Sequence, residues 1–259
     1  MYLGGTELRY SVLTSGSCGN SYAFYDGKTT ILIDVGLTLT GLKRRLVDAD
    51  IPYTSIKALF LTHLHPDHVK GAGVFNRDSG INVHLTKSMR DGGTSILCKL
   101  GLKDNNLSTF DYGEKIVIDN FVITSFSTSH DSQGSCGYKI ENGKDSFFLM
   151  TDTGIIPEAA EALAKDSNIL FIESNYDDEM LEHGKYPYVL KRRVRGNRGH
   201  LSNEQAHDFI INSKLSNKTI YLIHVSENNN SIEKLNEMVS TLPVDNRYII
   251  CERGKSYWE

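Results

Sequence analysis

The segment from Leu59 to His68, which reads LFLTHLHPDH, constrains this chain more than any other. Three imidazoles and one carboxylate fall within six positions as H-x-H-x-D-H, directly after the apolar run KALFLT, which is typical of a short buried strand. In an extended or turning loop, His63 and His65 point to the same side and can share one ion, while Asp67 and His68 reach toward a second. The sequence therefore predicts a metal site on a loop after a strand. A solvated histidine loop is the alternative.

Three other candidate ligands lie at or just past the ends of predicted strands. His130 follows NFVITSFSTS, Asp152 follows SFFLMT, and His224 is near the end of TIYLIH. Rigid strands that present side chains at one rim of a sheet can fix a coordination geometry. Imidazole combined with carboxylate suits zinc, manganese or iron, and this mixed donor set does not choose between them.

The order of the predicted elements indicates an α/β protein. Short alternating strands such as YAFYD and TTILIDVG are joined by tight turns, and helical spacing follows them at Leu39–Val47 and at Lys87–Leu100. Layering rules then favour two sheets face to face with helices on the outside, a four-layer αββα sandwich. At 259 residues and 39% hydrophobic composition, one domain spanning residues 1–259 is expected.

Composition bears on the location of the protein, the state of its cysteines and the partners it can bind. The N-terminus has no basic region followed by a long apolar run, and no transmembrane-length apolar stretch occurs, so we expect a soluble, cytoplasmic protein that does not bind membranes. The four cysteines never form C-x-x-C and are predicted to be free thiols. The net charge of -4 argues mildly against a nucleic-acid partner, but two divalent ions would bring the holo-protein close to neutrality.

A strongly basic segment between residues 185 and 198 predicts contact with a polyanion. It contains no acidic residue, because the acids are concentrated in the preceding DDEMLE. Its cations are Lys185, Lys191, Arg192, Arg193, Arg195 and Arg198. A solvated helix face is the alternative meaning of this run. The interleaved Tyr186 and Tyr188 can stack on bases or pack against the loop.

The candidate ligands resemble those of the metallo-β-lactamase superfamily, whose members carry H-x-H-x-D-H followed by a distant His, Asp and His. The chain matches this order over nearly its whole length. The resemblance implies the αββα fold and two metal ions, each with three ligands of its own and with Asp152 bridging them. The two implied sets are His63, His65 and His130, and Asp67, His68 and His224.

Five further segments resemble the YycJ/WalJ branch of that superfamily, described as 5′→3′ DNA exonucleases. They are SGSCGNS, TDTG, ESNYDDEML, GKYPYVLKRRV and GHLSN. These segments decide the branch, since the superfamily also contains thioesterases, lactonases, β-lactamases and flavoproteins that share the ligands. Tyr176 departs from the pattern, because relatives are expected to have histidine after ESN.

The segment GHLSNEQA and an early Gly/Ser loop are candidates for binding phosphate. Ser202 and Gln205 form an S-x-x-Q capping box, so the helix start would present free N–H groups to an anion. By the family resemblance, His200 would contact the phosphate or protonate a leaving oxygen; a structural histidine beside an ordinary cap is the alternative. In the early loop, Ser17 and Asn20 are the candidates, and an ordinary flexible turn explains that loop equally well.

These observations predict a metal-dependent phosphodiesterase acting on DNA and, by resemblance, a 5′→3′ exonuclease on linear duplex or its 5′ end. We expect a hydroxide shared by two ions, zinc or manganese with iron as a further option, to attack the phosphodiester. Asp67 and His200 are the predicted catalytic residues. The alternatives are a ribonuclease, a thioesterase or lactonase, and a non-enzymatic DNA-binding module. The seven mixed ligands favour catalysis, because structural zinc sites are typically closed four-ligand cages. The sequence leaves the oligomeric state open.

Overall fold

The strands form two seven-stranded sheets in the computed structural model, which describes residues 8–143 and 145–259. In spatial order, the first sheet contains Tyr257–Trp258 (β14), Arg9–Thr14 (β1), Ser21–Tyr25 (β2), Thr30–Ile33 (β3), Ile56–Phe60 (β4), Val83–Thr86 (β5) and Leu107–Phe110 (β6). The second contains Arg247–Ile250 (β13), Thr219–Ile223 (β12), Ile169–Glu173 (β11), Asp145–Met150 (β10), Cys136–Asn142 (β9), Phe121–Ser127 (β8) and Lys115–Ile118 (β7).

Both sheets follow the same plan of antiparallel pairs followed by parallel pairs. In the first, β14, β1, β2 and β3 pair antiparallel, and β3 to β6 pair parallel. In the second, β7 to β10 pair antiparallel, and β10 to β13 pair parallel. Parallel neighbours require a crossover connection, and at least one helix lies between the two strands of each parallel pair.

Ten α-helices occur in the described part of the chain. They are Leu39–Asp48 (α1), Pro66–Val69 (α2), Ala72–Ser79 (α3), Lys87–Gly92 (α4), Thr94–Leu100 (α5), Ala160–Lys165 (α6), Asp178–His183 (α7), Tyr188–Arg195 (α8), Asn203–Asn212 (α9) and Ile232–Ser240 (α10). None of the helices described is long and apolar enough to cross a membrane.

The helix predicted over residues 87–100 is instead two helices, α4 and α5, that meet at Gly93. A Cβ at Gly93 would lie 2.6 Å from the backbone carbonyl oxygen of Met89 and 2.0 Å from the end of the Leu64 side chain, so any larger residue would force the backbone to shift. Glycine also weakens a continuous helix at this point.

The β10 strand shows how the layers are packed. Phe147 points to the first sheet, where its ring lies 5.3 Å from that of Tyr10 and 4.7 Å from that of Phe24, centroid to centroid. Phe148 and Met150 point the other way and pack in a second cluster with residues of α6, α9 and α10. This period-two alternation is what a strand between two apolar layers requires. The predicted αββα architecture is therefore confirmed.

Candidate active site

The seven predicted ligand residues converge at one rim of the sandwich, beyond the ends of β4, β8, β10 and β12. Two triads have donor atoms within 4.8 Å of one another, namely His63, His65 and His130, and Asp67, His68 and His224. Asp152 lies between them, with Oδ1 3.5 Å from the Nε2 atom of His130 and Oδ2 3.2 Å from that of His68. The structure thus brings these side chains together in the two groups that the family resemblance implies.

His63 shows that the first triad fits a cation. Its side chain is fully buried, and its Nε2 atom has no hydrogen-bond partner among the described residues. Burial is the main cause that lowers the pKa of His63 far below its usual value, so the ring is neutral. A buried nitrogen left without a partner costs about 1–3 kcal/mol. Coordination of a divalent ion by this lone pair would remove that cost.

The second triad carries charges that a divalent ion would replace. Burial opposes protonation of His224, but the carboxylates of Asp152, Asp67 and Glu173 outweigh it and raise the pKa of His224 to about 10. The pKa of His68 is raised in the same way, against burial, by Asp152 and Asp34. Without a metal, these imidazolium groups neutralise the carboxylates. Metal binding would release their protons.

Asp34 is a supporting residue that the sequence analysis did not identify. Its fully buried carboxylate lies 2.7 Å from the Nδ1 atom of His68 and accepts hydrogen bonds from the backbone N–H and hydroxyl of Thr62. Such a contact fixes the orientation of a histidine ligand. Asp34 ends the apolar run ILID, so an acid closing a buried strand was the available signal.

Glu173, at the end of β11, was also missed and connects two histidines. Its Oε1 atom lies 2.8 Å from the Nδ1 atom of His200 and 3.0 Å from that of His224, while Oε2 accepts hydrogen bonds from the backbone N–H groups of Thr153 and Leu201. Burial opposes ionisation of Glu173, but His200 and His224 lower its pKa overall. The carboxylate therefore fixes both rings.

Three residues at strand ends adopt a left-handed backbone conformation. Asp34 follows β3, Asp152 follows β10 and His224 follows β12, with φ values of 58°, 53° and 55°. This conformation costs about 1–3 kcal/mol for a residue other than glycine. It is retained where surrounding contacts enforce it, and these three side chains all belong to the cluster or support it.

The two candidates in the early loop occupy different positions. Asn20 is fully buried. Its side chain accepts a hydrogen bond from the Gly16 N–H, and its Nδ2 atom lies 2.9 Å from His68 Nε2 and 3.3 Å from Asp67 Oδ2. These contacts favour a role in holding the ligands over direct contact with substrate. Ser17 is exposed and lines the cavity above the ligand residues, which we call the main cavity.

The capping box at the start of α9 is present, and contacts within the protein occupy most of the N–H groups that the sequence analysis expects to be free for an anion. The Gln205 N–H donates to the Ser202 hydroxyl, and the Ser202 N–H donates to the Gln205 side chain. The Leu201 N–H donates to Glu173, and the Asn203 N–H donates to the carbonyl of Tyr176. Ser202 is only 3% exposed, so its hydroxyl serves the helix cap.

The basic segment folds back on the acids that precede it. Arg195 pairs with Glu182 at 2.9 Å, and Lys191 donates to the carbonyl of Glu182. Arg192 lies over the Tyr188 ring at 5.9 Å. Local pairing therefore reduces the positive charge that the sequence alone predicts.

Two arginines of the basic segment contact residues in or next to the seven predicted ligands, which we call the metal cluster. The guanidinium of Arg193 forms two hydrogen bonds with Asp131, whose Oδ1 atom lies 3.3 Å from His65 Nε2. The Nε–H of Arg198 donates to the carbonyl of His130 at 3.1 Å. Asp131, next to His130 in the chain, is a further acid that the sequence analysis missed.

Tyr176 packs below the helices that carry the basic segment. It is buried in a small apolar cluster with Leu181 of α7 and Val194 of α8, against which Tyr186 and Leu190 also pack. Tyr176 is thus part of the hydrophobic support of this region, which we call the cap (residues 177–199).

The cavity above the cluster has a volume of about 370 Å³. Both carboxylates Asp67 and Asp152 line it, together with Arg193, His200 and His224. It therefore offers acids, histidines and one guanidinium to a single bound group.

Comparisons with known proteins agree with this geometry. The family described as β-lactamase superfamily domain matches residues 29–225. Exodeoxyribonuclease WalJ of Streptococcus pneumoniae is 32% identical over 226 residues, which cover 86% of this chain and 83% of that protein. Exodeoxyribonuclease YycJ of Bacillus anthracis is 30% identical over 237 residues, 90% of this chain and 88% of that protein.

Among solved structures, the metallo-β-lactamase fold protein YhfI from Bacillus subtilis superposes with a TM-score of 0.70. The sequences are 15% identical, and the alignment covers 97% of this chain and 99% of that chain, so this likeness shows the fold alone. With the sequence relatives, it leads to one conclusion: the chain belongs to the β-lactamase superfamily and, within it, to the group of WalJ and YycJ.

Proposed function

We propose that this chain is a metal-dependent exodeoxyribonuclease that digests linear duplex DNA in the 5′→3′ direction. The observation that carries the proposal is the pair of donor triads around Asp152, in a cavity that also presents His200 and Arg193. The names of the WalJ and YycJ relatives support DNA as the substrate. A single domain over residues 1–259 and a cytoplasmic location complete the proposal.

The superfamily fold implies divalent metal binding, and the two triads with Asp152 would hold two ions, zinc or manganese with iron as a further option. Bound ions of this kind lower the pKa of water and stabilise charge on a transferring phosphoryl group. The neutral, unpartnered His63 nitrogen and the concentration of buried carboxylates fit this role.

Asp67 is the candidate for positioning the attacking water. Burial opposes its ionisation, but hydrogen bonds with His224 and His68 outweigh that effect and hold the pKa of Asp67 below its usual range. The side chain is 24% exposed toward the cavity. An ionised carboxylate in this position can orient the attacking water by accepting a hydrogen bond from it, and its lowered pKa makes full proton transfer to Asp67 the weaker of the two predicted roles.

His200 is the candidate acid. Its Nδ1 atom contacts ionised Glu173, which leaves Nε2 as the ring nitrogen available to substrate. As the phosphorus–oxygen bond to the leaving nucleotide breaks, a proton from Nε2 would neutralise the departing oxygen. Arg193, which also lines the cavity, would bind a non-bridging phosphate oxygen.

The proposal is tested by metal analysis of the purified protein, followed by digestion of linear duplex DNA labelled separately at each 5′ and 3′ end. RNA and a simple thioester are assayed in parallel. We expect manganese- or zinc-dependent release of nucleotides from the 5′ end. Thioester turnover without DNA cleavage would overturn the proposal, and preferential RNA cleavage would reassign the substrate.

A further inference from the structure

A second depression adjoins the metal cluster at His130. It has a volume of about 360 Å³ and is bounded by the loop between β8 and β9. Besides His130, its lining includes Tyr112, Thr128, Ser129, Ser132, Gln133 and Arg198. We call this depression the polar groove.

The electrostatic character of the polar groove differs from that of the main cavity. The main cavity is lined by the carboxylates Asp67 and Asp152, whereas the groove has Arg198 and no acidic residue in its lining. The Nε–H of Arg198 is held by the His130 carbonyl, and its guanidinium has no carboxylate within 4.0 Å in the part of the chain that the structure describes. The groove therefore favours an anion.

One hydroxyl group in the groove has a hydrogen to donate. The Ser132 hydroxyl accepts a hydrogen bond from the Leu64 N–H, so its own proton stays available to a ligand with acceptor oxygens. The Thr128 hydroxyl has no hydrogen-bond partner among the residues described, but its oxygen is buried and does not reach the groove.

The loop that forms the groove is held in place before any ligand binds. The Thr128 N–H donates to the Ser135 carbonyl, and the Ser135 hydroxyl donates to the Thr128 carbonyl, so the loop is closed at its base. Gly134 has a φ of 77°, and a Cβ there would lie 2.3 Å from the Met89 nitrogen. Rigid support of this kind suits a binding site.

His130 connects the groove to the reaction centre. Its ring nitrogen Nε2 lies 3.5 Å from Asp152 within the metal cluster, while its carbonyl binds Arg198 in the groove. The two anion-binding regions are thus separated by the length of one residue. Charges recur at short intervals along a nucleic-acid strand, so one strand can occupy both.

We propose that the polar groove binds a phosphate of the nucleotide next to the scissile phosphodiester, with Arg198 and the Ser132 hydroxyl as donors. The inference rests on the proposed DNA hydrolysis. It adds the position of the DNA strand beyond the predicted metal ligands. The groove then supplies affinity for a polymeric substrate, which a small diester with one phosphate does not use.

The test compares Arg198→Gln, Arg198→Lys and the control Arg44→Gln, which removes a charge from an exposed residue of α1. Kinetics are measured on labelled duplex DNA and on bis(p-nitrophenyl) phosphate. For Arg198→Gln we expect the ratio of kcat/KM on DNA to kcat/KM on the diester to fall about fivefold or more, mainly through KM, and the salt dependence on DNA to weaken by about one charge.

Two further variants separate binding from structural support. Arg198→Lys keeps the charge and should recover most of the salt dependence on DNA, whereas Arg198→Gln keeps an N–H donor for the His130 carbonyl but not the charge. Ser132→Ala removes the hydroxyl that lines the groove and should raise KM for DNA about twofold to fivefold.

The outcomes distinguish this inference from the proposed function. If the wild type cleaves DNA and Arg198→Gln matches Arg44→Gln in both the substrate ratio and the salt dependence, the groove does not bind the strand. If the wild type hydrolyses the small diester but not DNA, the proposed function fails, and the extension fails with it.

Discussion

The metal cluster and the cap lie on either side of the same cavity, but they are held in different ways. Buried carboxylates and strand ends from both sheets fix the cluster, as in the contacts of Asp34 and Glu173. The cap depends on one small apolar cluster and on exposed pairs such as Arg195–Glu182, and exposed pairs contribute about 0–1 kcal/mol each. The predicted catalytic residues are therefore held by more extensive contacts than the cap. Mutations in the two regions should have different effects on activity and stability.

The largest expected effect is in the cluster. Asp152→Ala removes the carboxylate between the two triads, so we expect the rate of DNA hydrolysis to fall at least about a thousandfold, with DNA binding partly retained. Gel assays of digestion and fluorescence anisotropy of DNA measure the two quantities. Asp48→Ala, an exposed change on α1, is the control. Full activity of Asp152→Ala would refute the assignment of this centre.

A smaller loss of activity is expected when a residue that supports the cluster is changed and the ligands themselves are kept. Glu173→Gln keeps the shape of the side chain but removes the charge that faces His200 and His224, which should lower kcat about 10- to 100-fold and reduce bound metal. Activity and metal content of the purified variant are measured beside Glu158→Gln, an exposed change. Unchanged metal content and activity would show that Glu173 does not position these rings.

The packing of the cap gives a third comparison. Leu181→Ala empties a buried position in the small cap cluster, and Leu149→Ala does the same in the main core. We expect the free energy of unfolding to fall by about 2 kcal/mol for Leu181→Ala and by about 4 kcal/mol for Leu149→Ala. Urea titration measures both. Equal losses would mean that the cap is as firmly integrated as the core.

The smallest effect on activity is expected for an exposed residue at the edge of the main cavity. Arg193→Gln removes a guanidinium that lines the cavity but is exposed and paired with Asp131. Since a single phosphate contact is lost, kcat/KM on DNA should decrease about fivefold, with less dependence on salt. Lys57→Gln, an exposed charge on β4, is the matched control. Identical salt dependence in both variants would exclude Arg193 from binding the substrate.

The ligand cluster could be predicted because its pattern is local. His63, His65, Asp67 and His68 are close in sequence, and His130, Asp152 and His224 each follow a recognisable apolar strand. The architecture followed from the same strands. Donor identity and strand ends are properties that a single sequence displays directly.

Other features depend on long-range contacts that a sequence does not display. Glu173 and Asp34 support the cluster through partners that lie 27 to 51 and 28 to 34 positions away in the chain. The amides at the start of α9 are engaged by Glu173 and Tyr176, so the local capping signal gave no indication that they are occupied. The break at Gly93 likewise places the chain against the Leu64 side chain from another segment, a contact that the local sequence does not display.

The repetition of one strand plan in both sheets has a consequence for how the protein holds its shape. Each triad draws two ligands from the segment after β4 of the first sheet, His63 and His65 from the loop and Asp67 and His68 from α2. The third ligand of each triad comes from the second sheet, His130 in one case and His224 in the other. A bound ion would therefore act as a cross-link between the halves of the sandwich. Its binding free energy would contribute to the association of the sheets, so metal occupancy and the integrity of the fold would vary together.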